Sequence, residues 1–377
     1  MEADPTVGRS WWLDACPVAE PPVLPVTALE AAMADVVVVG LGASGLEAIG
    51  WLARLGVDVI GLDAVGVAAG AAGANGGFLL AGLADFHHRA VGRHGRHVAV
   101  DWWWRSVDEL DRLAATEPTF RRVGSVRVAA SAEEQADIGD QLQAMRADGL
   151  GAQPYDGPEG IGLLVPTDGA FHPVARCRRL AAEALAAGAR LVAPARVTSV
   201  QPGHVEVGEM TVRTAALLVA VDGGLERLRI ITSGGAVQAA GVRTARLQML
   251  ATAPDPGVSL PRPVYRRHGY DYAQQLPSGE VLLGGGRDVG GEDEWGAGPV
   301  PSVAVQAHLD RWLAQLGGTA PVTRRWAAHA AFSDDHLPWM GHPAPRVHVV
   351  GGYSGHGNVI GGLLARQAAR DIVAQLP

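Results

Sequence analysis

The chain has 377 residues, enough for two domains or one large interleaved body at ~150 residues per domain. Its 31 Lys plus Arg against 39 Asp plus Glu leave a net charge of -8, the wrong balance for a nucleic-acid binder or a protein drawn to an anionic membrane. All 31 basic side chains are Arg, and the absence of Lys excludes both the Schiff-base lysine of pyridoxal-phosphate enzymes and the Lys of a Walker phosphate loop.

Cys16 and Cys177 are too few for a disulfide framework and lack the paired spacing of a thiolate metal site, which fits a reduced, cytoplasmic setting. Residues 1–10 carry two acids and no apolar run, unlike a secretory leader. The apolar stretch over 36–84 is broken by Glu47, Arg54, Asp58, Asp63 and many Gly, so no membrane span is expected.

In chain order, residues 1–33 read as a Pro-rich arm, packed as a structural strap by Trp11 and Trp12. The run over 35–39 is continuously apolar and β-branched, as in a strand buried on both faces. Gly40, Leu41, Gly42, Ala43, Ser44 and Gly45 follow, then a helix over 46–55, Gly56, and a second strand over 57–63 that ends in Asp63 before Ala64. In this βαβ setting the first Gly permits a tight turn, the second lets backbone approach a pyrophosphate at a helix N-terminus, and the third permits close packing. Asp63, eighteen residues beyond Gly45, stands where an acid accepts hydrogen bonds from an adenosine ribose.

Residues 85–150 read as mostly helical, with helices over 103–113 and 132–145 around a strand over 124–129. His87, His88, His94 and His97 lack the Cys or acid spacing of a metal site, so that segment reads as a solvated loop, with no metal. Trp102, Trp103 and Trp104 cannot all face inward on one helix. A helix over 174–187 leads into short strands over 190–200, 205–207 and 210–212, with a separate buried strand over 217–220. Strands over 243–251, 270–276 and 281–284, the last two joined by a turn at Pro277, Ser278 and Gly279, precede a helix over 302–316. The end is a strand over 346–350, a Gly-rich loop and a helix over 358–375.

Two further Gly-rich loops favour a flavin over a nicotinamide: Gly70 to Gly77, including Ala72, Asn75 and Gly76, and Gly351 to Asn358, including Gly352, Ser354, Gly355, His356 and Gly357 at the start of the last helix. Backbone N–H groups at a helix N-terminus can face the pyrimidine edge of the ring, where negative charge gathers on reduction. The expected fold class is α/β, with a Rossmann-like FAD-binding domain assembled from 34–84, 160–228 and 325–377. An α+β substrate domain over 85–159 and 229–324, with a mixed or antiparallel sheet, is inserted into it.

Together with Asp168 to Pro173, Val197 to Val200, Gln248 to Thr252 and the closing Asp335 to Gly341, these motifs resemble the FAD-dependent oxidoreductases of the D-amino-acid oxidase and glycine oxidase superfamily, nearest in look to the gamma-glutamylputrescine oxidase branch. The resemblance implies non-covalent FAD, the fingerprint on its adenine end, Val197 near the adenine through its backbone, and the Ser354 to Gly357 loop on the flavin. It implies oxidation of an amine by hydride transfer to flavin N5, with O2 or another acceptor. Ala72 stands where relatives often carry Ser, Phe78 where they carry Gln, and Gly77 where some tether the flavin through His.

Amino-acid oxidases of this superfamily clamp the substrate carboxylate with an Arg whose slot is Ala330 here, so the expected substrate is a small molecule without a clamped α-carboxylate. His329, Tyr272 and Trp326, with Tyr270 and His268, are the candidate lining, and Arg266 or Arg267 is a candidate displaced clamp. The Lys that oxidases place near flavin N5 is replaced by Leu282 or Leu283, leaving His356, His329 and Arg287 as candidate cations. A flavin dehydrogenase and a non-catalytic flavin-binding protein are the alternatives.

Overall fold

The computed structural model describes residues 6–239, 241–296 and 298–376. The chain divides into two compact units: one holds the residues through Ala15 with Ala74–His172 and Ala245–Ala328, the other Cys16–Gly73, Pro173–Thr244 and the residues from His329 onward.

The second unit is built on a largely parallel sheet. Met33–Val39 lies parallel to Met210–Val219 on one side, with Val36 opposite Ala216 and Val39 opposite Val219, and to Val59–Leu62 on the other. Arg190–Val192 extends the sheet beyond Val59–Leu62, and Val347–Gly351 extends it beyond Met210–Val219, both parallel. Numbered along the chain, these five strands therefore lie in the order 3-2-1-4-5, the doubly wound arrangement whose switch point lies between Met33–Val39 and Met210–Val219. Ligands bind such sheets at the carboxyl ends of the strands beside that point, where the Gly40 to Gly45 turn sits. The helix Ala43–Arg54 packs on both Pro173–Ala186 and Gly357–Val373, and the three are joined by charge. Glu47 is buried and accepts from Arg176 at 3.1 Å and from Arg366 at 3.2 Å, while Arg176 also donates to the Asn358 carbonyl at 2.7 Å. Removing one partner of such a buried pair leaves an uncompensated charge, at a cost of ~3–5 kcal/mol.

The separate strand expected over 217–220 is the last part of Met210–Val219. Burial alternates over its first half and becomes continuous from Leu217, so one strand passes from a half-exposed to a doubly covered position.

The first unit carries a mostly antiparallel sheet that includes Glu280–Gly285, Asp271–Gln275, Val264–Arg266, Ser125–Val128, Gly160–Val165 and Gln153–Gly157 in that order. One face is core: Val126, Val264, Ala273, Val281 and Leu283 pack with Val305, Leu309 and Trp312 of the Val303–Gln315 helix. The strand register sets a row on the opposite face. Arg127 lies beside Tyr265, Tyr265 opposite Tyr272, and Tyr272 opposite Gly284. Missing from the sequence reading are the Gln153–Gly157 and Gly160–Val165 hairpin and the Val264–Arg266 strand, short elements of which the first is rich in Gly, Pro and polar residues.

The segment expected as a solvated loop is the helix His87–His94, followed after Gly95 by Arg96–Thr116. Its polar side chains are paired: buried His87 meets Asp148 at 2.6 Å, and His88 meets Asp137 at 3.0 Å. Burial alone would raise the Asp148 carboxyl, but hydrogen bonds from His87 and Arg96 hold it below its ordinary value. Of the three tryptophans, Trp103 is buried, Trp104 is exposed, and Trp102 lies under the Arg105 guanidinium. No group of metal-ligating side chains occurs among the described residues, and no helix among them is long and apolar enough to cross a membrane. The units divide the chain elsewhere than the composition suggested, since 84 and 160 both fall inside Ala74–His172 and the arm divides after Ala15.

Candidate active site

In the parallel-sheet unit the fingerprint turn has the geometry that its glycines dictate. Gly40 has φ +113°, and a Cβ on it would stand 2.5 Å from the Ala220 carbonyl. A Cβ on Gly45 would collide with the Gly40 carbonyl, so Ala43–Arg54 starts hard against the strand. Gly42 is its N-cap without a side-chain hydrogen bond, which leaves the first-turn N–H groups of Ala43 and Ser44 to a ligand or solvent. Ala72 is brought to this turn, its Cβ 3.3 Å from where a Cβ on Gly42 would be. Asp63 accepts from the N–H groups of Leu41 (3.0 Å), Val65 (2.8 Å) and Gly66 (3.0 Å). Three of about four lone-pair positions are thus used, and one is left for a hydroxyl. Ala64 is half-buried beside it, and Val197 is half-buried at the start of Val197–Gln201.

The same unit holds His329 and the C-terminal loop together through a residue the sequence reading missed. Asp222 accepts from the Ala331 N–H at 3.0 Å and the Tyr353 N–H at 3.3 Å. Burial pushes its carboxyl up to about 6, against the lowering effect of those bonds. The neighbouring Gly223 is required, since a Cβ there would lie 2.5 Å from the His329 carbonyl and 2.6 Å from its Cβ. The Ser354 N–H bonds the Ala331 carbonyl at 3.0 Å while Ser354 sits at φ 51°, a strained conformation for a residue with a Cβ. Gly352 and Gly355 also have positive φ, and half-buried His356 is the N-cap of Gly357–Val373, without a side-chain cap bond. The N–H groups of Gly357 and Asn358 open that helix. Asp222 follows the apolar end of a strand; its isolated acid, next to Gly223 and Gly224, was the available signal.

In the antiparallel-sheet unit, Phe78, Tyr265 and Tyr272 form a three-ring platform, with centroids 5.2 Å apart for Phe78 and Tyr265, 6.0 Å for Phe78 and Tyr272, and 6.1 Å for the two tyrosines. Gly284 makes room for it, since a Cβ there would run into the Tyr272 ring. The same ring approaches Gly76, 3.1 Å from where a Cβ would be. Desolvation raises both tyrosine hydroxyls well above their ordinary value, so they stay protonated at neutral pH. Trp326, expected as substrate lining, is 1% exposed and donates its indole N–H to the Ala74 carbonyl at 2.8 Å.

The candidate displaced clamps, Arg266 and Arg267, the candidate cation Arg287 and the candidate lining residue His268 are engaged. Arg267 bonds Asp271 at 3.1 Å and also Asp288, and Arg266 lies over Trp312 and reaches Gln315. Arg287 is flanked by Tyr270 and Trp295, and His268 by Asp137 and Phe86. Leu283 belongs to the core face, so Leu282, which pairs with Gln274, is the position on the platform side.

A doubly wound sheet with a glycine fingerprint at its switch point and two uncapped helix N-termini in one unit defines a protein that binds a dinucleotide carrying a redox ring. Residues 35–370 match the family model of the FAD-dependent oxidoreductases (DAO). The chain belongs to that family, and FAD, held non-covalently as is typical of it, is its cofactor.

Among its relatives, the tRNA 5-methylaminomethyl-2-thiouridine biosynthesis bifunctional protein MnmC of Maricaulis maris is 27% identical over 94% of this chain, which spans 55% of that protein. The probable oxidoreductase OrdL of Rhizobium meliloti is 25% identical, with 93% of this chain and 85% of that protein covered. Among solved structures, glycine oxidase from Geobacillus kaustophilus superposes with TM-score 0.72 at 19% identity, covering 92% of this chain and 94% of that one. L-proline dehydrogenase from P. horikoshii superposes with TM-score 0.73 at 16% identity, covering 92% and 96%. The two structures share the fold; the narrower likeness to the gamma-glutamylputrescine oxidase branch is a resemblance of motifs.

Proposed function

We propose that this oxidoreductase oxidises the C–N bond of a small neutral or cationic amine that lacks a clamped α-carboxylate. The observation that carries the reading is Ala330 in the Arg slot. It is 6% exposed and continues into Ala331, so the strand segment offers no guanidinium. Of the guanidinium groups on the platform side, Arg127 is two strands from Tyr272, bonded to Gln141 at 3.3 Å and lying over Phe86, and Arg121 is bonded to Gln274 Oε1 at 3.4 Å and the Gln275 carbonyl at 3.5 Å. A carboxylate left without a partner beside the apolar rings would carry a desolvation cost of several kcal/mol.

FAD, when bound, would supply a two-electron acceptor for the hydride on the carbon next to the amine nitrogen. The residues assigned to it are Gly40, Gly42, Ala43, Ser44, Gly45, Asp63, Ala64 and Val197 for the adenine and pyrophosphate, and Ala72, Asn75, Gly76, Gly77, Gly352 and Ser354 to Asn358 for the flavin. Tyr272 and Tyr265 orient the amine with faces that attract a cation, and an imidazole nitrogen of His329 accepts the proton that the ammonium must lose before oxidation. His356 is assigned the stabilisation of charge on the reduced cofactor. Anaerobic reduction of the holoenzyme by D-alanine, glycine, sarcosine and a panel of monoamines and diamines tests this. Faster reduction by an amine supports it, and reduction by D-alanine at a matching rate refutes it.

A second reading, a dehydrogenase that hands electrons to an acceptor other than O2, is favoured by the buried Leu282 on the platform side and by the Lys-free composition. Stopped-flow reoxidation decides between them. Slow reaction with O2 together with rapid reduction of a dye supports the dehydrogenase. Fast reoxidation that His356→Ala or His329→Ala slows supports the oxidase.

A further inference from the structure

The carbonyls of four consecutive residues, Ala74 to Gly77, are all occupied by donors of the antiparallel-sheet unit. The Trp326 indole N–H bonds the Ala74 carbonyl at 2.8 Å, and the Trp12 indole N–H bonds the Asn75 carbonyl at 2.8 Å. The Gln274 amide donates to the Gly76 carbonyl and, at 3.3 Å, to the Gly77 carbonyl, which also accepts from the Phe171 N–H at 2.9 Å. Each of the three side chains belongs to a residue only 1% exposed, and Arg121 completes Gln274 by donating to its Oε1 at 3.4 Å. Indole is a donor only and cannot reverse its polarity, whereas water or a hydroxyl could.

A trans peptide is planar, and its N–H points opposite to its C=O. Fixing the Asn75 carbonyl on Trp12 therefore directs the Gly76 N–H away from the tryptophan. That N–H makes no hydrogen bond among the described residues. The Gly77 N–H is folded back onto Asn75 Oδ1 at 2.8 Å. At Gly77 the clamp leaves no room, because φ is +72° and a Cβ would stand 2.6 Å from Gln274 Nε2 and 2.8 Å from Trp12 Cζ2.

We propose that Trp12, Trp326 and Gln274 are positioning residues that take the carbonyls of the 74–77 loop so that its outward amide, that of Gly76, is presented in a fixed orientation to FAD. This gives the N-terminal arm a part in cofactor binding, and it makes Trp326 a support of the loop. The inference rests on the assignment of residues 75–77 to the flavin.

The test uses the holoenzyme and its reversible apo form. Trp12→Phe and Trp326→Phe keep a ring and delete the donor, and Gln274→Met keeps the length and deletes both amide bonds. For each, the FAD Kd, the flavin midpoint potential and the thermal midpoint of the apoprotein are measured. The expected result is a 5- to 30-fold weaker Kd (an order-of-magnitude range, from ~1–2 kcal/mol per lost buried bond), a displaced potential, and an apoprotein midpoint close to that of the parent. Affinity and potential within about twofold of the parent in all three would overturn the clamp. Gly77→Ala separates this from failure of the underlying assignment. Lost FAD binding in Gly77→Ala with unaffected Trp and Gln variants rejects the clamp alone, whereas parent-like binding in a folded Gly77→Ala rejects the loop as a flavin contact and the clamp with it.

Discussion

Asp222 offers a quantitative test of how the parallel-sheet unit is held together. Its carboxylate bridges the Ala331 and Tyr353 amides, yet burial lifts it to about 6. An unfolded Asp titrates near ~3.9, and the gap corresponds to ~3 kcal/mol of differential free energy. Because the folded value is the higher one, the native state binds more protons between about pH 4 and 6. Stability contributed by this group is therefore greatest at low pH and falls as pH rises through that window. Asp222→Asn removes the titration, keeps one acceptor, and turns an NH2 toward the second amide, at ~1–3 kcal/mol for the mismatched donor. Near pH 4 the variant should therefore be less stable than the parent by roughly that amount. Above about pH 7 the deficit should shrink or vanish, because the parent then carries the buried charge. Urea unfolding of both proteins across pH, analysed as the difference between the two curves, isolates the group from other titrations. Parallel curves, with a constant offset from pH 4 to 7, would show that Asp222 does not titrate as its burial implies.

Gly42→Val places methyl groups beside a position already 3.3 Å from Ala72 Cβ and should yield folded protein without flavin; full flavin content on purification contradicts the fingerprint assignment. Acid precipitation of the holoenzyme should leave the flavin in the supernatant, and flavin on the precipitated chain contradicts non-covalent binding. His348 is 1% exposed, with burial and then its neighbour His342 pushing it down to about 4, so an unfolded chain protonates first. Its contribution is complete above ~6.5 and is lost as pH falls toward 4, by up to ~3 kcal/mol, and His348→Gln should flatten that acid limb in urea titrations.

Local chemistry made the parallel-sheet unit legible. The apolar run over Val36 to Val39 requires cover on both faces, Gly40 and Gly45 require backbone approach, and these constraints act over a few residues. The boundary errors have the same cause seen from the other side. Leu217 to Val219 satisfy every local sign of a separate buried strand, and only the continuous pairing, with His204–Val207 along the first half and Val347–Gly351 along the second, joins them to Met210. The histidine-rich helix misled because Asp137 and Asp148, 49 and 61 residues beyond their partners His88 and His87, neutralise its polar side chains.

The candidate site divides along the same line. Backbone positions assigned to the cofactor follow from glycine spacing, but the platform of Phe78, Tyr265 and Tyr272 joins three distant segments through strand register. No periodicity within any one segment marks it, and a one-residue slip of Asp271–Gln275 would exchange Tyr272 for core Ala273. The loop carbonyls carry this furthest. The sequence contains Trp12, Gln274 and Trp326 as apolar or polar residues of ordinary elements, and only the fold sets their donors on four successive peptides. Glycine at 76 and 77 makes the loop flexible enough to present an amide in many directions, so a direction has to be imposed from outside the loop. Side-chain N–H donors from three separate elements, two of them donor-only indoles, are a physical means of doing so, and they account for buried tryptophans that packing alone would leave exchangeable for phenylalanine.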